Sequence, residues 1–315
     1  MPLLNYTKND MNVKSSRNKT IDFPIENAGE YLKACVKASE YNGTQLNVTI
    51  NGDFFETINK IPDNFIDLLI VDPPYDMNKN FHGNKFKKVG YDKYLEYTKS
   101  WIQAVKPKLK NTASVYVCCD WRSSISIGKI LADNFILRNR ITWSREKGRG
   151  AKDNWKNSME DVYYATVSDD FTFNLNAVKV LKKVLAPYKE NGVPKDWQQN
   201  KDGKFRKTCP SNFWDDISVP YWSMPENTAH PTQKPEKLIA KLILASSNAG
   251  DVVLDPFSGS GTTGVVSKKL GRNYIDIELN PLYCAWAEKR LKDAEFGDRI
   301  QGYENGVFLE RNHKE

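Results

Sequence analysis

Apolar runs of strand length alternate with amphipathic stretches along most of this chain. The alternation predicts a repeating strand–helix order and hence an α/β fold. Leu46 to Ile50 reads as a strand, followed by a helix from about Phe54 to Lys60. Phe65 to Val71 is rich in aliphatic and β-branched residues and reads as a strand buried on both faces. A helix over Tyr94 to Leu109 turns Leu95, Trp101, Ile102 and Val105 to one side. Strands near 113–119, 140–143 and 161–167 and a helix near 123–133 continue the order. Residues 168–229 break it, with Trp197, Trp214, Tyr221 and Trp222 scattered among lysines, glycines and prolines. That stretch predicts an inserted region of irregular structure. The order resumes with a helix over Glu236 to Ser247, a strand at Val252 to Leu254, a helix through Leu270, a strand at Asn273 to Glu278 and a helix over Leu282 to Ala294 with Pro281 at its start. A short helix is expected within Glu26 to Glu40. Residues 1–26 are polar and patternless and predict a flexible arm, and residues 76–94 predict a long mobile loop.

At 315 residues, 40% of them hydrophobic, the chain fits one large domain with an insertion, or two small ones. The excess of 46 Lys and Arg over 39 Asp and Glu gives +7, which suits a polyanionic partner without requiring one. The five cysteines show no CxxC or other metal spacing, and there are only three histidines, so free thiols in a reducing compartment and no metal site are expected. Without a long apolar span or signal-like start, the expected location is the cytoplasm.

Two segments carry candidate chemistry. The strand ending at Val71 runs into Asp72-Pro73-Pro74-Tyr75. Two prolines cannot donate to a ladder, so the strand stops there and presents a carboxylate, two rigid carbonyls and an aromatic ring. In open α/β sheets that carboxyl edge is where ligands bind. The oxygens can accept the hydrogens of an exocyclic amine while the ring stacks on its base. The second segment is Asp255-Pro256-Phe257-Ser258-Gly259-Ser260-Gly261-Thr262-Thr263-Gly264. Its glycines permit a tight turn and close approach of a ligand. Gly259, Gly261 and Gly264 spell GxGxxG, and Glu278 lies near the spacing of a ribose-binding acid, so a dinucleotide-dependent oxidoreductase is one reading. The other is a sulfonium donor that carries adenosine and an amino-acid moiety. Asp255 ahead of the loop suits an ammonium group and would repel a pyrophosphate.

The order DPPY, insertion, HPTQKP (His230 to Pro235), DPFSGSGTTG resembles the beta class of bacterial DNA amino-methyltransferases, particularly adenine-N6 enzymes of restriction–modification systems. The resemblance spans roughly residues 48 to 292. It implies a doubly wound, mostly parallel seven-stranded sheet of the S-adenosylmethionine-dependent methyltransferase fold in permuted motif order, with one antiparallel strand at its edge. The implied division is a catalytic half over 27–167, a target-recognition insertion over 168–229 and an S-adenosylmethionine-binding half over 230–315. It assigns Asp72, Pro73, Pro74 and Tyr75 to the target base. It places Asp53, Asp72, Thr232, Lys234, Asp255, Phe257, Gly259, Gly261, Thr262 and Glu278 around S-adenosyl-L-methionine. Asp53 also suits a helix N-cap, and His230 a structural role. Asp276 stands where relatives often carry glycine, so Glu278 ranks above it as the ribose acid, with the choice open. Relatives acting on cytosine N4 more often carry serine in place of Asp72, which favours adenine. A DNA-binding module without catalysis is disfavoured by the intact tetrapeptide.

The implied macromolecular partner is double-stranded DNA, in a bacterial or phage-encoded setting. Whether a cognate restriction endonuclease exists, and whether the protein is a monomer or a homodimer, stay open. The segment from Arg138 to Lys156 and the 76–94 loop are basic. Lys85, Lys87, Lys88, Arg145, Lys147, Arg149 and Lys152 are the expected phosphate contacts, which give affinity without sequence information.

Overall fold

A computed structural model describes residues 15–311 except 83, 146–151, 154, 185–186 and 201–202. Seven strands form the principal sheet: β1 (Val48–Asn51), β2 (Ile66–Val71), β3 (Leu109–Cys119), β4 (Ile136–Ser144), β5 (Met159–Thr166), β6 (Val252–Asp255) and β7 (Asn273–Glu278). Their order across the sheet is β1-β7-β6-β2-β3-β5-β4, and two-residue strands at Val36–Lys37 and Phe213–Trp214 extend its two edges. β5 alone of the seven runs antiparallel, bonded to β3 on one side and β4 on the other. The expected antiparallel strand therefore lies inside the edge, not at it. Met159 to Thr166 follows β4 closely enough to return as a hairpin and wedges between β4 and β3.

Alternation of side chains along the strands explains why these apolar runs are buried throughout. In β2, Leu69 and Val71 join the core on one face with Val115, Val117, Leu254, Ile275 and Ile277. Leu68 and Ile70 join the core on the other face with Tyr116, Cys118 and Val253. Helices α1 (Phe54–Ile58), α2 (Tyr91–Val105) and α3 (Ser123–Asn134) precede the insertion; α4 (Glu236–Ser246), α5 (Thr262–Lys269) and α6 (Pro281–Asp293) follow it. Tyr94, Thr98, Trp101, Ile102 and Val105 put one stripe of α2 inside. Pro281 opens α6, and the Asn280 side chain accepts from Leu282 N. Among the described residues no helix is long and apolar enough to cross a membrane.

The insertion is more ordered than its composition suggests. Val180–Lys183, Gln198–Asn200 and Gly203–Thr208 build a five-stranded sheet completed by Tyr303–Glu304 and Val307–Leu309. Its inner face and α4 share the second core: Val180 and Phe308 cluster with Leu238, Ile239 and Leu242. Polar residues such as Lys204 and Arg206 hide the strand pattern, and the tail strand that pairs with Val180 lies far away in sequence. Residues 79–81 and 84–86, expected within a loop, form a two-stranded hairpin. Glu26 to Glu40 holds only two short helical turns, at Ile25–Asn27 and Gly29–Leu32. The described part of the expected arm is tied down: Lys19 N donates to Trp222 O, Ile21 N to Asn227 O, and Trp286 Nε1 to Phe23 O.

Candidate active site

β2 and β6 are adjacent and parallel, with Leu68 opposite Val253 and Leu69 opposite Leu254. From β2 the chain crosses towards β3; from β6 it crosses towards β7. That reversal is the topological switch point, where α/β sheets bind ligands outside their strand ends. Asp72-Pro73-Pro74-Tyr75 leaves the tip of β2, and Asp255 to Gly264 leaves the tip of β6. Both, apart from Gly261 and Gly264, line one cavity of about 330 Å³, together with His230, Thr232 and Lys234 of the HPTQKP segment and with Asp53 and Glu278.

The glycine loop is held from below and behind. Gly261, at φ 71°, begins α5, and a Cβ there would lie 2.5 Å from Ala287 Cβ. Gly261→Ala should therefore lower stability by about 2 kcal/mol or more, through crowding and the left-handed backbone, read as a fall in Tm. Arg290, buried in α6, donates to Ser260 O at 2.8 Å and to Thr262 Oγ1 at 3.0 Å, and pairs with Glu236 Oε1 at 3.0 Å. Nothing in the local sequence marks Arg290, because its role depends on α6 crossing behind the loop. The Oγ atoms of Ser258 and Ser260 are buried and have no hydrogen-bond partner among the described residues.

Asp255 Oδ2 accepts from Thr263 Oγ1 at 2.6 Å and Oδ1 from Phe257 N at 3.1 Å. Burial nevertheless pushes its carboxyl up to about 7. Glu278 Oε2 accepts from Gly259 N at 2.9 Å and Oε1 from Asn280 N at 2.7 Å, and burial outweighs these bonds to raise it to about 7. Each carboxylate oxygen has a second lone pair. Asp276, the alternative ribose acid, is fully buried and accepts from Gly264 N at 3.1 Å, away from the cavity wall. Glu278 faces the cavity and Asp276 does not. Asp53 caps α1 through Phe55 N and Glu56 N and also lines the cavity. His230 is driven down to about 3 by burial, with Lys234 adding to the effect, so it is neutral. Its ring packs edge-on to Tyr283.

At the other wall, Asp72 Oδ1 accepts from Tyr75 Oη at 2.7 Å. Asp72 Oδ2 accepts from Lys234 Nζ at 2.5 Å. Lys234 is thus brought to the tetrapeptide rather than to the glycine loop alone. Burial works against its charge, but Asp72 and Glu160 outweigh burial and raise the ammonium above its ordinary value. Neither Glu160 nor its partner Arg145 was legible as part of this site, since Glu160 lies on β5 and Arg145 just past the end of β4, distant in sequence from the tips of β2 and β6. Of the expected DNA contacts, Lys87, Lys88 and Lys152 are exposed, and Arg145 is turned inward onto Glu160. Lys147, Arg149 and the Lys85 side chain lie outside the described residues.

Two acidic strand tips line one cleft at the switch point of an α/β sheet, an arrangement that suits an enzyme joining two ligands for group transfer. The chain belongs to the DNA methylase family, which it matches over residues 66–289. It is 36% identical over 259 residues to the DNA adenine methyltransferase YhdJ of Escherichia coli (strain K12), covering 79% of this chain and 84% of that protein. It is 34% identical over 244 residues to the type II methyltransferase M.HpaI of Haemophilus parainfluenzae, covering 76% of this chain and 72% of that one. The crystal structure of the M1.HpyAVI–SAM complex superposes with a TM-score of 0.54 at 25% identity, over 77% of this chain and 98% of that one. The cytosine-N4-specific PvuII DNA methyltransferase shares the fold, with a TM-score of 0.57 at 20% identity over 85% of this chain and 95% of that one.

Proposed function

We propose that this protein transfers a methyl group from S-adenosyl-L-methionine to the N6 amine of an adenine flipped out of duplex DNA, in the cytoplasm. The carrying observation is that the tetrapeptide and the glycine loop leave neighbouring parallel strands and line one cavity. The cavity suits the donor: Asp255 offers a buried carboxylate for its ammonium, Glu278 an acceptor for its ribose diol, and Ser258 and Ser260 offer unused hydroxyls. Once bound, the donor supplies an electrophilic methyl group on sulfur.

The chain's own residues then have to prepare the amine. Its lone pair is delocalised into the purine, so it attacks poorly. Asp72 and the Pro73 carbonyl accept its hydrogens and stabilise positive charge as it develops on nitrogen. Flipping the base costs a few kcal/mol. The Tyr75 ring, held by its hydroxyl on Asp72, offers a stacking surface worth about 1–3 kcal/mol. Cys118 is fully buried and its thiol is pushed well up by burial, which leaves it no nucleophilic part.

Adenine is favoured over cytosine by the carboxylate at position 72 and by the adenine-specific relative YhdJ. Sequencing modified bases in DNA from cells expressing the protein should find N6-methyladenine at a fixed site. N4-methylcytosine, or no modification, would overturn the reading. Tyr75→Trp should keep most of the turnover with an oligonucleotide substrate and Tyr75→Ala should lose tenfold or more; equal rates would remove the stacking role.

A further inference from the structure

The residues behind Asp72 form a chain of alternating charge that runs from the cavity to the surface. Tyr75 Oη and Lys234 Nζ hold the two oxygens of Asp72. Beyond Lys234 stands Glu160, whose Oε2 is 3.4 Å from Nζ. Beyond Glu160 stands Arg145, whose guanidinium pairs with Oε1. Exposure rises outward: the Lys234 and Glu160 side chains are 7% and 9% exposed, that of Arg145 31%. Lys79, from the hairpin, is the other cation in the field of this cluster.

Two features make the arrangement more than a buried ion network. Glu160 Oε2 is buried and ion-paired with the Lys234 ammonium at 3.4 Å, but among the described residues it accepts no well-aligned hydrogen bond. A buried carboxylate oxygen without an aligned hydrogen bond is costly, so a small shift of Lys234 towards Glu160 would gain one. Further, an ammonium at 2.5 Å from Asp72 cancels much of the negative potential that a developing cation on the amine requires. With Lys234 on Asp72, the carboxylate is held in place but electrostatically masked.

We propose that Glu160 and Arg145 are positioning residues that couple DNA binding to unmasking of Asp72; this rests on the reading of the protein as a DNA methyltransferase. Without DNA, Arg145 holds Glu160 and Lys234 stays on Asp72. When a phosphate of the DNA backbone takes Arg145, Glu160 is released to take Lys234, and both oxygens of Asp72 turn their free lone pairs to the amine. Arg145 is the outermost member and lies just past the end of β4, within the basic stretch from Arg138 to Lys156, which suits it to meet a phosphate first.

The scheme predicts opposite signs for two substitutions. Glu160→Gln leaves Lys234 with no alternative anion, so kcat on duplex DNA should fall at least tenfold, with donor and DNA dissociation constants within about threefold of wild type. Arg145→Ala releases Glu160 permanently. It should weaken DNA binding, and it should methylate a duplex with methylphosphonates around the target at least fivefold faster than wild type does. An unchanged kcat for Glu160→Gln, or no gain for Arg145→Ala on the neutralised duplex, would overturn the coupling. Should Glu160→Gln fail to fold, the sign of the Arg145→Ala effect decides alone. Wild-type protein that methylates no DNA would instead sink the underlying reading.

Discussion

Asp72→Ala is expected to lower methyl transfer by at least about a thousandfold while leaving donor affinity within about threefold. Removing one preorganised group that faces developing charge typically costs a hundredfold to a thousandfold. Asp72 also anchors the Tyr75 hydroxyl and the Lys234 ammonium, so its loss frees the stacking ring and strands a buried cation beside Glu160. Asp72→Asn separates these effects. It keeps an acceptor for Tyr75 and the shape of the side chain but removes the charge, so most of the loss should persist. Single-turnover transfer with labelled donor, alongside calorimetric titration of the donor alone, gives both quantities. Parallel loss of donor binding and turnover would show that Asp72 serves the donor rather than the amine.

Sequence and structure agree where the information is local. β2 announces itself by an unbroken aliphatic run and stops at two prolines, and Asp255 to Gly264 announces a loop by its glycines. Their convergence depends only on which strands become neighbours, and the motif order already pointed to it. What sequence reading missed is non-local. Arg290 reaches the loop because α6 passes behind it, and the strand at Val307–Leu309 matters because its Phe308 finds Val180, 128 residues back. The sequence singles out Lys234 but not its partner, since Asp72 and Lys234 are 162 residues apart and share only the cavity. Asp276 and Glu278 sit two apart on one strand and so share a face; only the depth of burial distinguishes the structural acid from the half-buried one at the cavity wall.

Donor binding is expected to weaken about tenfold between pH 8 and pH 6, because the donor's ammonium needs Asp255 ionised while burial holds that carboxyl up to about 7. The sign follows from competition: as pH falls through 7 a proton occupies the carboxylate, and the ammonium must displace it. The neighbouring charges act in both directions, Asp72 favouring the proton and Lys234 opposing it. Asp255→Asn should cost on the order of a hundredfold in donor affinity at pH 8, the usual scale for breaking a buried, hydrogen-bonded charge pair. Its affinity should then be flat with pH across the same window. Glu278, also raised to about 7, is the competing explanation for any slope. Its ribose contacts are hydrogen bonds rather than an ion pair, so Glu278→Gln should bind less tightly yet keep the slope. Titrations of the three proteins at pH 6, 7 and 8 decide the matter: a slope that survives in Asp255→Asn and vanishes in Glu278→Gln would move the ammonium site away from the tip of β6.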